Sequence, residues 1–295
     1  MASEHQGDLV RKHYSTDDHL RVRQEIHDAY TVPDRSFADW VLDRIPWHGG
    51  ERILDVGCGN GLYYSKLKKR GIEFDYYGLD LMSSMAAHHP LKGNNSRLLL
   101  ADAEQLPFPA HSFDIVMANH MLHHVENIEA ALLEFRRILA PGGLVVIATN
   151  SMATMPELQV LMRRAIVLLT RTGAATVRAP EMPTDRFALE NGIRLLSRQF
   201  YSIVRHDLPS ALVFPEVDPA MDYLESTRDL RESALPDDVV WEDVMMIMRQ
   251  QINQLIKHLG ELVINKQAGV LIASDDGRFI GEKIAEMKDS LSTIS

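Results

Sequence analysis

Residues 52–61 read Arg-Ile-Leu-Asp-Val-Gly-Cys-Gly-Asn-Gly, and this stretch decides the fold. Its first half is a short apolar run, which predicts a buried strand. Alternating glycines follow at once, and the segment after them, Leu62–Arg70, has the pattern of a helix that ends at Gly71. Glycine reaches positive φ and lets a ligand lie against the main chain. A strand, a glycine turn and a helix in this order predict the entry to a nucleotide-binding α/β unit.

The spacing of the glycines separates two kinds of nucleotide site. Dinucleotide folds use G-x-G-x-x-G, whereas this chain has Asp55-x-Gly57-x-Gly59-x-Gly61. That pattern resembles the first motif of class I S-adenosylmethionine-dependent methyltransferases. Further landmarks follow in the family's order, at residues 74–80, 100–104, 106–109, 113–125 and 139–147. The ordered set is similar to the subgroup that includes ubiquinone and menaquinone biosynthesis methyltransferases and many natural-product methyltransferases.

The alternation of strand and helix patterns over residues 51–147 predicts a parallel sheet with right-handed crossovers. The resemblance implies a Rossmann-like, doubly wound α/β sheet, mostly parallel with one antiparallel strand, plus helical cap insertions. We expect a single domain rather than two independent ones. Its expected segments are a helical flank or lid (1–50), a cofactor-binding core (51–150), a helical cap (151–184), a core helix and strand (185–210), a second helical insertion (211–265), and a C-terminal strand pair and tail (266–295).

Ligands of such sheets bind outside the carboxyl ends of the strands. The glycines follow the first predicted strand, and Asp80, Asp102 and Asn119 follow the next three. By resemblance, the glycine loop carries the methionine and ribose of S-adenosylmethionine, Asp80 binds the ribose hydroxyls, Asp102 with the Ala103 backbone faces the adenine amine, and the main chain at Asn119 meets the methionine amino group. Solvated turn residues are the alternative for each carboxylate. The expected cofactor-binding residues are Asp55, Gly57, Cys58, Gly59, Gly61, Asp80, Leu81, Met82, Asp102, Ala103, Glu104 and Asn119.

Cys58 lies between two of these glycines, where a small residue is needed, and we interpret it as a packing residue rather than a nucleophile. Asp55 is expected to order the loop or to contact the methionine amino group through water.

Three histidines, His120, His123 and His124, fall between a predicted strand and a predicted helix. A metal site is one interpretation, but no cysteine or acidic partner follows at ligand spacing, and we expect no metal. A neutral imidazole can also act as a general base near pH 7. The Leu-His-His-Val run is common in the resembled subgroup across different substrates, which favours a structural or cofactor-side role for His123 and His124. The catalytic candidates are His120, His124 and Tyr30.

The flanking segments offer candidates for the acceptor site. In the resembled family the N-terminal flank covers the cofactor, so Tyr14, Arg21 or Tyr30 is expected to reach the acceptor, unless these side chains only pack the flank on the core. Four arginines in the cap either meet an acidic substrate or lie on a solvated helix face, and the solvated face is favoured. They are Arg163, Arg164, Arg171 and Arg178.

Composition restricts the function further. The net charge of −10 over 295 residues argues against a dedicated nucleic-acid binder, because phosphate neutralisation needs clustered lysine and arginine. A single cysteine excludes an internal disulfide and fits a reducing cytosol. Residues 1–8 lack a signal pattern and no apolar run reaches spanning length, so we expect a cytoplasmic protein without a membrane partner.

These patterns predict methyl transfer from S-adenosylmethionine to a small-molecule acceptor, such as a specialised metabolite of natural product biosynthesis, by in-line displacement. Two alternatives stay open: a methyltransferase acting on RNA or protein, and a non-catalytic cofactor-binding protein. An apolar stripe from Val244 to Leu262 is expected to pack on the core, roof the pocket or form a dimer surface, so a homodimer is also among the expectations.

Overall fold

The computed structural model describes residues 18–170, 178–180, 183–277, 279, 281 and 284. Tyr14 and Arg171 lie outside the described residues. The contacts divide the chain into two compact units. The cap unit comprises the described residues of Met1–Phe37, Ser151–Asp185 and Leu208–Ala268, and the core unit those of Ala38–Asn150, Arg186–Asp207 and Gly269–Ser295.

The strands are β1 Thr31–Val32, β2 Glu51–Val56, β3 Phe74–Asp80, β4 Leu98–Leu100, β5 Phe113–Met117, β6 Leu139–Asn150, β7 Ser202–Phe214 and β8 Leu262–Ser274. The α-helices are α1 Asp18–Tyr30, α2 Phe37–Leu42, α3 Leu62–Arg70, α4 Ser83–Ala86, α5 Ile128–Ile138, α6 Pro156–Leu169, α7 Leu189–Leu196, α8 Val217–Glu225, α9 Arg228–Arg231 and α10 Trp241–Leu259. Short 3-10 turns span Leu122–His124, Pro183–Arg186 and Glu232–Ala234.

The core unit is built on a parallel sheet. Its strands follow the order β7-β8-β6-β5-β2-β3-β4, and the pairs β2–β3, β2–β5, β3–β4 and β5–β6 are parallel. Strand β2 is buried at five of its six residues, as expected for a parallel strand covered on both faces. The register places Asp55 beside Gly78 and Asp80 beside Leu100, so β2, β3 and β4 end at a common edge. The predicted Rossmann-like α/β fold is confirmed.

The cap unit is mostly helical. The apolar stripe of α6 is buried as its helical spacing predicts, at Leu158, Leu161, Met162, Ala165 and Ile166. It packs in one cluster with the buried side of α10, which consists of Trp241, Val244, Met248 and Ile252. Burial of these faces against each other is the main term that holds such helices together. In this unit β1 pairs antiparallel with β7, with Thr31 opposite Leu212.

Two expectations about the C-terminal half were wrong. The stripe expected on one helix from Val244 to Leu262 ends earlier, because α10 stops at Gly260 in a left-handed conformation (φ 90°) and Leu262 begins β8. The second strand expected over residues 278–281 is absent from the described residues there, since Phe279 and Gly281 are helical. The described antiparallel pair is that of β1 with β7. The division into a single domain with caps stays a prediction.

Candidate functional site

The glycine loop follows β2 directly. Gly57, Gly59 and Gly61 have φ values of 68°, 55° and 80°, a region that side chains with a Cβ rarely adopt. The loop is anchored to the next strand, because the N–H groups of Gly57 and Cys58 both donate to the Leu79 carbonyl, at 2.7 and 3.0 Å. A Cβ on Gly57 would lie 2.7 Å from Cβ of Met121, so that position requires glycine. Met121 is a neighbour of the loop that the sequence did not reveal.

Asp80 ties the end of β3 to this loop. Its Oδ2 accepts from Gly59 N at 2.8 Å and its Oδ1 from Met82 N at 2.8 Å. Asp80 is only 7% exposed, and burial raises its pKa against the lowering effect of these backbone hydrogen bonds. A carboxylate has about four acceptor sites, and the Leu81 N–H also acts on this one, so these bonds do not use its whole acceptor capacity. Asp80 therefore shapes the loop and keeps acceptor capacity for a ligand hydroxyl.

Asp55 lies fully buried beneath the loop in a hydrogen-bonded chain. Tyr76 Oη donates to Asp55 Oδ2 at 2.9 Å and lies 3.4 Å from His89 Nε2. The Leu91 N–H donates to His89 Nδ1 at 3.0 Å, which leaves the proton of a neutral imidazole on Nε2, facing Tyr76. Burial raises the pKa of Asp55 to about 7, helped by the charge of Asp80, and lowers the pKa of His89 to about 4.

Sequence reasoning missed Tyr76 and His89. A signal existed for Tyr76, since it stands four residues before Asp80 on β3 and so faces the same side of the sheet. His89 carries no such signal, because it follows the short helix α4 in an irregular segment.

Cys58 is buried, and burial raises the pKa of its thiol well above the ordinary value, together with the charges of Asp55 and Asp80. A thiol held protonated is a poor nucleophile. This geometry fits the packing role expected for Cys58.

The residues after β3 and β4 lie at the same edge of the sheet as the loop. Leu81 is 53% exposed, and Asp102 is exposed with its Oδ1 accepting from Glu104 N at 2.9 Å. Ala103 is buried, and Glu104 Oε1 accepts from Asn127 N at 2.8 Å. Asp102 and Glu104 thus accept hydrogen bonds within this region and also reach solvent. Their positions agree with solvated turn residues as well as with cofactor-binding residues.

Asn119 follows β5 and is buried. Its Oδ1 accepts from Ala148 N at 3.2 Å, whereas its Nδ2 is buried without a hydrogen-bond partner among the described residues. A buried donor without an acceptor is costly, so this atom marks a place where a ligand acceptor fits.

The three candidate histidines, His120, His123 and His124, differ in their surroundings. His120 is half-buried with a positive φ of 54°, and its N–H donates to the Ala148 carbonyl at 2.9 Å. His123 is buried and its ring lies 4.1 Å from that of His124, on the 3-10 turn Leu122–His124. No group of three His, Cys, Asp or Glu side chains in the described part of the chain is arranged to hold a metal ion.

The candidates on the flank and cap lie in the cap unit. The Tyr30 ring packs on Phe214, with centroids 5.2 Å apart, and Arg21 pairs with Asp18 and Glu25 on the exposed face of α1. Arg163, Arg164 and Arg178 are exposed, in agreement with the favoured solvated face. The buried arginine of this unit, Arg231, was not among the sequence candidates.

Comparison with known proteins adds the decisive observation. A family model described as a methyltransferase domain matches residues 54–147, which span β2 to β6 and include the glycine loop, Asp80, Asp102 and Asn119. Residues 54–147 are thus similar to the methyltransferase domain family. S-adenosylmethionine is the cofactor of the class that this segment resembles.

The methyltransferase domain has curated relatives. The chain is 31% identical over 140 residues to malonyl-[acyl-carrier protein] O-methyltransferase of Serratia marcescens, covering 45% of this chain and 51% of that protein. It is 34% identical over 121 residues to demethylmenaquinone methyltransferase of Geobacillus kaustophilus, covering 39% of this chain and 52% of that one. The chain thus spans about half the length of these relatives.

A solved structure shares the fold of the methyltransferase domain and its flanks. Phosphoethanolamine N-methyltransferase 2 of Haemonchus contortus, in complex with S-adenosyl-L-methionine, superposes with a TM-score of 0.54 at 17% identity, over 92% of this chain and 60% of that chain. Among the described residues no helix combines the length and apolar character needed to span a membrane.

The donor and acceptor set around the methyltransferase loop fits this cofactor. The carboxylate of Asp80 keeps acceptor capacity for a ribose hydroxyl. The glycines allow the left-handed conformation of the loop, and Asn119 offers an unused buried donor. The fit thus rests on Asp80 and Asn119, whose hydrogen-bonding capacity the fold does not use in full.

Proposed function

We propose that this protein transfers the methyl group of S-adenosylmethionine to a small-molecule acceptor by in-line displacement. The observation that carries the proposal is the buried Asp80 at the end of β3, which anchors the glycine loop through Gly59 and keeps acceptor capacity for a ligand hydroxyl. The names of the relatives, which methylate malonyl-[acyl-carrier protein] and demethylmenaquinone, support an acceptor that is small or carried by a small prosthetic arm.

The cofactor supplies an activated methyl group when it is bound. The chain's own residues then bind the cofactor and the acceptor, align the two for methyl transfer and exclude water. In this proposal Asp80 accepts from the ribose hydroxyls, Asp102 with Ala103 faces the adenine, and Asp55 and Asn119 serve the methionine end. Leu81, Met82 and Glu104 complete the cofactor-binding set.

A base is needed only where the acceptor does not lose its proton easily. Among His120, His124 and Tyr30, we favour His120 for this role. A positive φ at a residue other than glycine costs energy and is found preferentially at functional sites, and His120 stands at the end of β5 with a φ of 54°. Imidazole is the side chain that most often serves as a general base in enzymes.

Calorimetric titration with S-adenosylmethionine and S-adenosylhomocysteine tests the cofactor site. The wild type is expected to bind both near micromolar, about −8 kcal/mol. Asp80→Ala should lose about 2–3 kcal/mol or more, because it removes the ribose acceptors and the Gly59 anchor. Asp80→Asn should do no better, since both oxygens accept from backbone N–H groups and an amide must turn its NH₂ toward one of them.

Asp75→Ala is the matched control. Asp75 lies on the same strand, β3, but at its opposite end, where it pairs with Arg97. This variant should bind the cofactor like the wild type. Absence of binding by the wild type at millimolar cofactor would refute the proposal. Action in specialised metabolism, a cytoplasmic location and a homodimer stay predictions, and screening of small acceptors by product mass addresses the first.

A further inference from the structure

The cap unit buries an arginine that has no acidic partner in the part of the chain that the structure describes. Arg231, the last residue of α9, is 5% exposed. Its Nε donates to Thr227 Oγ1 at 3.2 Å, and its Nη1 makes only long contacts of 3.5 Å, to the Met162 sulfur and the Pro180 carbonyl. Its Nη2 makes no hydrogen bond to any residue that the structure describes. The guanidinium is therefore charged, buried and only partly satisfied.

The neighbouring arginine on the same helix shows the contrast. Arg228 is more exposed, yet it forms ion pairs with Glu225, Glu232 and Glu242, at 3.4, 2.8 and 2.6 Å. The acidic side chains of this region thus pair with Arg228, the more solvent-exposed of the two arginines. Arg231, which is only 5% exposed, pairs with none of them among the described residues.

A second polar group beside Arg231 is equally under-used. Tyr223 is buried on α8, and its hydroxyl donates only to the sulfur of Met155, at 3.1 Å, a weak acceptor. Burial raises the pKa of Tyr223, while the charges of Arg23 and Arg231 lower it, so both guanidinium groups lie near this phenol. Arg23 in turn donates to the Ser226 carbonyl at 2.9 Å. The buried Tyr223 phenol thus lies within the electrostatic influence of two guanidinium groups, of which Arg231 is buried and Arg23 is half-buried.

A buried charge without a counter-charge destabilises a fold, and proteins keep one mainly where a ligand supplies the missing partner. We propose that Arg231, with Tyr223 beside it, forms a binding site for a carboxylate or phosphate group of the acceptor. A planar guanidinium binds either anion through two parallel N–H donors. As a statement about the acceptor this inference rests on the proposed methyl transfer, whereas the anion site itself is tested without it.

The test observes the Arg231 side chain directly by NMR spectroscopy. Full-length protein is labelled with [¹⁵N]arginine, and the Nε–H resonance of Arg231 is assigned by its loss in Arg231→Lys. Inorganic phosphate, acetate and neutral acetamide are titrated into the millimolar range at constant ionic strength. A saturable shift with phosphate alone indicates a phosphorylated acceptor, and a shift with acetate indicates a carboxylic acid. No shift with either anion, or an equal shift with acetamide, overturns the site.

A stability measurement separates a binding role from a structural one. Arg231→Met replaces the guanidinium with a side chain suited to a buried position, so its thermal midpoint should stay unchanged or rise while the anion effect disappears. Arg228→Met is the control, which loses three ion pairs and should keep the Arg231 response. A clear fall in the midpoint of Arg231→Met would instead assign the arginine to the fold. Cofactor titration of the same samples reports separately on the proposed function.

Discussion

At the scale of the residue, the chain Asp55–Tyr76–His89 shows how burial sets protonation under the cofactor loop. Two carboxylates, Asp55 and Asp80, lie close enough for the charge of Asp80 to raise the pKa of Asp55. Tyr63, Tyr76 and Cys58 also face Asp55, and burial raises the pKa of each of these groups, so that they stay neutral. Among the groups of this cluster, Asp55 is thus the one whose pKa lies near neutral pH.

The titration of Asp55 predicts how stability depends on pH. The folded state holds the proton up to about pH 7, whereas the unfolded state releases it near 3.8, so stability falls as pH rises through this window. Between pH 6 and 8.5 the contribution of Asp55 to the free energy of unfolding should fall by about 1.4 kcal/mol. The difference between the wild type and Asp55→Asn isolates it, because Lys266, whose pKa burial lowers to about 8, acts in the opposite direction in both proteins. Asp55→Asn removes this loss, which urea denaturation at the two pH values measures.

His89 acts in the opposite direction, and its effect should be the same in both proteins. Its folded pKa of about 4 lies below its ordinary value of 6.5, so stability falls as pH drops through that range. If the free energy of unfolding changes with pH at the same slope in the wild type and in Asp55→Asn above pH 6, then Asp55 is already ionised in the folded protein.

At the scale of the element, helix α3 is bounded by two glycines of similar conformation and different surroundings. Gly61 precedes the helix with φ 80° and Gly71 follows it with φ 66°. A Cβ on Gly61 would lie 2.6 Å from Pro90 Cδ and 2.7 Å from His89 Cδ2, whereas a Cβ on Gly71 meets nothing within 4 Å. One glycine is required by backbone conformation alone, and the other by conformation and by packing against His89.

Alanine substitution at both ends of α3 separates these two requirements. Gly71→Ala should cost about 1–2 kcal/mol of unfolding free energy, the price of a left-handed conformation for alanine. Gly61→Ala should cost a further ~1–3 kcal/mol, because Pro90 and His89 must move. Urea denaturation measures both values. Gly61→Ala should also weaken cofactor binding while Gly71→Ala does not; equal costs and equal affinities would contradict the crowding at Gly61.

At the scale of the whole molecule, the proposed cofactor-binding residues all belong to the core unit, from Asp55 on β2 to Asn119 just after β5. These positions converge only when the parallel sheet is formed, so the unfolded chain offers no site. Binding to the folded state alone stabilises it by mass action.

Saturation with the cofactor should therefore raise the thermal midpoint. At a free concentration of about 100 times Kd, the stabilisation is about 2.7 kcal/mol. For a chain of this size that corresponds to a shift of roughly 5 °C. Differential scanning calorimetry checks the value, with Asp80→Ala expected to show almost no shift and Asp75→Ala the full shift. A wild-type midpoint that does not respond would mean that the glycine loop binds another ligand.

Much of the core unit was predictable because its signals are local. The strand–glycine–helix order of residues 52–70 and the carboxylate at the end of β3 depend on neighbours in sequence, and the parallel sheet then brings strand ends to one edge. The cap was harder. Leu262 continues the helical spacing of α10 but lies in β8, because a left-handed residue at Gly260 ends the helix before it. Residues 278–281 alternate like a strand, yet Phe279 and Gly281 are helical.

The fold class, the glycine loop and the carboxylates at the carboxyl edge of the sheet follow from the sequence alone, since periodicity and turn chemistry are properties of short segments. Which buried groups meet depends on the tertiary structure. The contacts of Asp55 with Tyr76 and of Tyr76 with His89 join residues 21 and 13 positions apart, and Arg231 reaches Met162 across 69. Such distant contacts depend on how elements pack, and packing also decides that Arg228 has acidic partners and Arg231 has none among the described residues.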